Sequence, residues 1–174
     1  LRSLINLDNY QHWFEYGETR PDFMLIEIPL TDDLLNIEKP IEISVKIIEC
    51  KMSTHVEGFY SEAASQVLDA YKAFSKHWSP ENYRTDRRYW FTQLYRAVVF
   101  SQLSLADNDP RYQTINDKIY HILDGAFHID WSREVYAFDL KSDSECTEST
   151  ITNDGEATVN VHTYGQLAIQ RMLM

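Results

Sequence analysis

Little in this sequence can serve as a covalent or flexible framework. Cys50 and Cys146 are the only cysteines in 174 residues. That is too few for a disulfide scaffold or a cysteine-rich zinc site, and a reduced, cytoplasmic setting is expected. Five glycines and five prolines leave no linker or repeat composition. No apolar run approaches the roughly 18 residues of a membrane helix, so no membrane partner is expected. No signal-peptide pattern opens the chain. No GxxxxGK loop occurs, so ATP hydrolysis within the chain is not expected. The six histidines show no metal-ligand spacing. Positive charge is also scarce. Sixteen Lys and Arg against 27 Asp and Glu give a net charge of −11, which argues against wholesale electrostatic binding of nucleic acid. Acids gather between Asp139 and Glu156, where only Lys141 opposes them.

What is present is a core. A hydrophobic fraction of 44% with 13% aromatics suits one globular domain over 1–174. The opening Leu1 and the apolar end Met172-Leu173-Met174 read as a piece of a longer, multi-domain protein. Strands are expected over Asn9–Tyr16, Asp22–Pro29 and Ile41–Met52, as an antiparallel meander. Helices follow over Val56–His77, Arg87–Leu105 and Arg111–Leu123, from apolar residues at helical spacing. Phe127–Trp131, Val135–Leu140 and Thr158–His162 read as strands. Lys141–Glu156 has loop composition, and Gln166–Leu173 closes the chain as a short helix. Strands, then helices, then strands predict a mixed α/β or α+β architecture around a central sheet.

The chemistry sits on the Ile41–Met52 strand. Ile41, Ile43, Val45, Ile47, Glu49 and Lys51 share one parity and so one face. An apolar stripe therefore runs into a carboxylate and an ammonium, whose burial is costly unless each has a partner. Asp22, after Pro21, adds a second acid from the neighbouring strand. Two acids and a lysine at a sheet end suit metal-dependent phosphodiester hydrolysis. Asp22 and Glu49 can hold Mg²⁺ or Mn²⁺, with the Cys50 backbone carbonyl as a third oxygen ligand. Lys51 can orient the water or stabilise the transition-state charge.

Pro21-Asp22 followed by Glu49-Cys50-Lys51 resembles the PD-(D/E)xK, or restriction-endonuclease-like, nuclease superfamily. The resemblance covers roughly Tyr10 to His77. It implies a mixed central sheet flanked by helices and Mg²⁺-dependent cleavage of DNA or RNA. Many members carry a further glutamate before the first strand, and here only Glu15 and Glu18 precede Asp22. Some members place Gln and Tyr four residues apart on the next helix. Gln66 is suitably placed, while Tyr71 is five residues on. A narrower similarity joins the segments Arg87–Arg96 and Gly125–Trp131 to nuclease modules of DNA-translocating ATPases in bacterial restriction and defence, including restriction of phosphorothioate-modified DNA.

Other residues are weighed beside these. Arg84, Arg87 and Arg88 open a helix where cations suit the dipole poorly, so they are candidate phosphate contacts. Arg20 can pair with Glu18 or approach phosphate. Asp139-Leu140-Lys141 repeats the acid-x-Lys pattern but opens a loop and reads as surface. Glu27 points to the opposite face from Asp22. Trp90, Phe91 and Tyr95 read as core rather than as a base-stacking platform. The competing reading is a catalytically silent scaffold or DNA-docking module, with the aromatic helix Trp90–Val99 as its interface.

Overall fold

The computed structural model describes residues 1–14, 20–36, 38–81, 84–99, 110–152 and 157–173. Glu15, Glu18 and the expected helix end at 100–105 lie outside them.

The strands are β1 (Arg2–Asn6), β2 (Phe23–Glu27), β3 (Ile41–Ser53), β4 (Phe127–Asp139), β5 (Cys146–Ile151) and β6 (Val159–Tyr164). The helices are α1 (Tyr60–His77), α2 (Arg87–Val99), α3 (Arg111–Tyr120) and α4 (Gln166–Met172). The strands form one sheet in the order β1-β2-β3-β4-β6-β5. β6 runs parallel to β4 and antiparallel to β5. The sheet is mixed and helices flank it, as the α/β expectation required.

β3 forms because β-branched residues alternate with polar ones over 41–47. Ile41, Ile43, Val45, Ile47 and Glu49 are buried, and the residues between them are exposed or half-buried. Three local expectations need correction. Leu7–Trp13 is a 3₁₀ helix, not a strand. Asn6 starts it by accepting the Asp8 N–H at 2.9 Å, and Leu7 and Trp13 are buried. Second, β4 is continuous across Ser132 and Arg133. The hydroxyl of Ser132 donates to Glu134, so the polar residues have partners without a break in the strand. Third, part of the acidic loop is β5. Its register with β6 runs from Cys146 opposite Tyr164 to Ile151 opposite Val159. An edge strand exposed along its length needs no apolar face, so its composition looks like that of a loop.

The chain divides into two compact units. The first comprises Leu1–Ile5, Leu25–Val45 and Ala73–Trp131. Its core is aromatic. Phe74 lies 5.0 Å from Trp78, Phe91 meets Phe127 edge-on at 5.1 Å, and His77 stacks on Trp90 at 3.9 Å. Trp90, Phe91, Leu94 and Val98 are buried, so this stripe is core. Gly125 ends the turn after α3 with φ 83°, a left-handed conformation that favours glycine. A Cβ there would lie 2.6 Å from Arg87 Nη2.

The second unit comprises Asn6–Met24, Lys46–Lys72 and Ser132–Met174. Met24, Ile47, Val135, Ala137, Val159 and Val161 are buried in it, with Ala63, Ala64, Val67 and Leu68 of α1. The Tyr60 hydroxyl lies 2.7 Å from Thr163 Oγ1 and ties the start of α1 to β6.

Candidate functional site

Asp22, Glu49, Cys50, Lys51 and Gln66 all belong to the second unit. Asp22 sits just before β2 begins, and side-chain-to-main-chain bonds join it to β3. The Cys50 N–H donates to Asp22 Oδ2 at 2.8 Å, and the Asp22 N–H donates to Glu49 Oε2 at 3.0 Å. Each acid thus fixes the other strand's main chain. In an extended strand a residue's N–H and C=O leave the same edge. The Cys50 carbonyl therefore emerges on the side from which Asp22 approaches.

Lys51 Nζ lies 2.7 Å from Glu49 Oε1, with Glu49 almost wholly buried. Burial pushes the Glu49 carboxyl above its ordinary range, against the opposing bond from Lys51. Burial also acts to lower Lys51, but the bond and charge of Glu49, with Glu62 and Asp22, outweigh it and raise the ammonium above its usual value. Burial beside these two acids raises the Cys50 thiol to about 11, so it is no nucleophile at neutral pH. Gln66, on α1, keeps its Oε1 buried with no hydrogen-bond partner. A buried acceptor left without a donor is costly, and a bound water or ligand would meet it.

The donor set is oxygen, from two carboxylates and a carbonyl. That suits a hard divalent cation such as Mg²⁺ or Mn²⁺. Among the described residues, no three His, Cys, Asp or Glu side chains converge on one point. A cation here would therefore complete its shell with carbonyl oxygen and water.

Most of the basic candidates are already engaged. Arg20 lies 3.8 Å from Asp8. Arg84 forms two bonds to Asp86, at 3.0 and 3.1 Å, and Asp86 also accepts from Trp90 Nε1. Arg87 lies over the Phe91 ring and donates to the Asp124 carbonyl at 3.4 Å. Arg88 is exposed. Arg84, Arg87 and Arg88 belong to the first unit. Glu27 pairs with Arg2 in the first unit. Asp139 accepts the N–H groups of Lys141 and Ser142 and forms a surface turn, as expected.

A second polar cluster has no motif in the sequence. Glu134, buried on β4, accepts from Ser132, from Asn160 Nδ2 at 3.1 Å and from His162 Nε2 at 2.8 Å. Tyr136 stacks on the His162 ring at 5.0 Å. Glu62 likewise has no sequence signature, although its charge acts on Lys51. An acid in the first turn of a helix is ordinary, so nothing marked it.

Comparison with protein-family profiles, with curated proteins and with solved structures finds no match to this chain.

Proposed function

We propose that this chain is a metal-dependent nuclease domain of the PD-(D/E)xK type, acting on DNA. The observation that supports it best is the reciprocal lock between Asp22 and the Glu49-Cys50-Lys51 segment. It gathers two carboxylates, a carbonyl and an ammonium at one point of the sheet. Asp22, Glu49 and the Cys50 carbonyl would hold Mg²⁺ or Mn²⁺. When bound, the cation supplies charge neutralisation and a more acidic water.

The remaining chemistry belongs to side chains. Lys51 has a raised pKa, so at neutral pH it acts as an ammonium facing the phosphate's developing charge, rather than as a base. Gln66 Oε1 accepts a hydrogen of the attacking water and orients it. The water oxygen bonds to phosphorus as the bond to the leaving sugar oxygen breaks. The water's proton passes to solvent, and the leaving oxygen takes one up.

With a net charge of −11, affinity for DNA would come largely from neighbouring domains or subunits, such as a translocating ATPase. A role in bacterial restriction or defence, in the cytoplasm, follows from the resemblance and belongs to the same proposal. No helix among the described residues is long and apolar enough to cross a membrane. The engagement of Arg84 with Asp86 leaves that arginine less available to DNA phosphate, so it lends no support to a silent DNA-docking module.

The test is cleavage of supercoiled plasmid and labelled single strands with Mg²⁺, Mn²⁺ or EDTA. Wild type is compared with Asp22→Ala and Lys51→Ala. Metal-dependent nicking lost in both variants is expected. A folded wild type that cleaves nothing with any metal would sink autonomous activity.

A further inference from the structure

The first unit holds an open cleft of about 430 Å³, the size of a small-ligand site. Its wall is the indole pair Trp78 and Trp131, whose rings lie 6.1 Å apart and within 19° of parallel. Trp78 is buried and backs the wall, while Trp131 is half-buried and within reach of a ligand. Ser79, Pro80 and Glu81 continue the lining beyond the end of α1, and His128 adds to it from β4. Glu81 and His128 are exposed.

Two features set the sign of charge this cleft accepts. Among the described residues that line it, Glu81 carries a charge and no lysine or arginine occurs. The carbonyl end of α1 also lies there, with Ser75 and Trp78 on the lining, and a helix C-terminus carries partial negative charge. Phosphates, nucleotides and nucleic acid are therefore unsuited to it. A cation suits both features, and an aromatic wall attracts one. Guanidinium is flat, weakly hydrated, stacks on aromatic rings and forks onto a carboxylate. The nearest arginine in sequence, Arg84, is held by Asp86. We propose that the cleft binds a guanidinium group, stacked on Trp131 and paired with Glu81. The group would belong to an arginine of a partner peptide or to a small guanidino compound. The cleft has this capacity whether or not Asp22 and Glu49 serve in cleavage.

The test is calorimetric titration of the whole chain with N-acetyl-arginine amide, its neutral citrulline analogue and the capped peptide Gly-Arg-Gly. The arginine amide is expected to bind, and the citrulline amide to bind at least about fivefold more weakly. Glu81→Gln, at an exposed position, should weaken the arginine amide about threefold to fivefold. Trp131→Leu should weaken it about threefold to tenfold, and Trp131→Phe, which keeps a ring, should recover most of that loss. If Trp131→Leu does not fold, Glu81→Gln and the citrulline comparison decide. Tighter binding of the peptide assigns the group to a partner chain, and equal binding assigns it to a small guanidino compound. No binding of either arginine probe, equal affinity for citrulline, or unchanged affinity in Glu81→Gln overturns the proposal.

Discussion

His162 stands between two carboxylates, with Nε2 2.8 Å from Glu134 Oε2 and Nδ1 3.4 Å from Glu148 Oε1. Both ring nitrogens can donate only when the imidazole is protonated. The pair joins β4, β6 and β5, and Glu134 is the buried member. Burial alone would raise its carboxyl. The bonds from Ser132, His162 and Asn160 outweigh that and hold it below its ordinary value of 4.5. A depressed carboxyl stabilises the fold above its unfolded pKa, and that stabilisation is lost as pH falls through the folded value. Thermal melts between pH 7 and pH 3 should show a stability loss below about 4.5, attributable in part to Glu134.

Removing the imidazole exposes the same dependence. His162→Ala should cost about 1–3 kcal/mol in denaturant unfolding near neutral pH, because a buried carboxylate loses a partner. Glu148→Ala, at an exposed site, should leave the midpoint unchanged. Equal losses in both variants would mean that the outer contact, and not the buried one, holds β5 to β6.

The Glu49–Lys51 pair predicts a pH effect of opposite sign. Glu49 is raised above 4.5 by burial, so its stabilising contribution is present at acid pH and lost as pH rises through the folded value. Cation binding needs the ionised carboxylate. The acid limb of the cleavage profile should therefore lie above 4.5, and Lys51 should stay an ammonium to beyond 10.5. An acid limb at or below the ordinary glutamate value would exclude Glu49 as the limiting ligand.

Lys51 and Glu49 should also be coupled in stability. Lys51→Met leaves a buried carboxylate without its counter-ion and should destabilise by about 1–3 kcal/mol. Adding Glu49→Gln should recover most of that loss, with cleavage absent throughout. Urea midpoints of the two singles and the double decide it.

Gln66 carries the clearest conflict between stability and activity. Its Oε1 is buried without a donor. Gln66→Met should raise stability by about 1 kcal/mol and lower cleavage at least tenfold. A variant that loses stability instead would show that the amide is structurally satisfied.

The site was legible in the sequence for one reason. Alternation along β3 placed Glu49 and Lys51 on the buried face with Ile47, and the structure brings Asp22 to them across 27 residues. What escaped lacked a local signature. β5 is exposed over most of its length, so hydrophobic alternation was absent. Glu134 and His162 meet because parallel pairing sets Tyr136 beside His162. No short motif encodes a contact across 28 residues. Glu62 acts through space on Lys51, while in the sequence it is an ordinary helix-start acid. Leu7–Trp13 begins with an Asn6 cap, whose pattern the aromatic run obscured.

The Asp22 carboxylate takes the place of a main-chain bond on Cys50. An inactivating substitution there also loosens the sheet, so it is no neutral control. Across descent, a chain that abandoned cleavage would still keep Asp22 to hold its strands together. Glu49 and Lys51 would go as a pair, because losing the lysine alone leaves the buried carboxylate without its counter-ion.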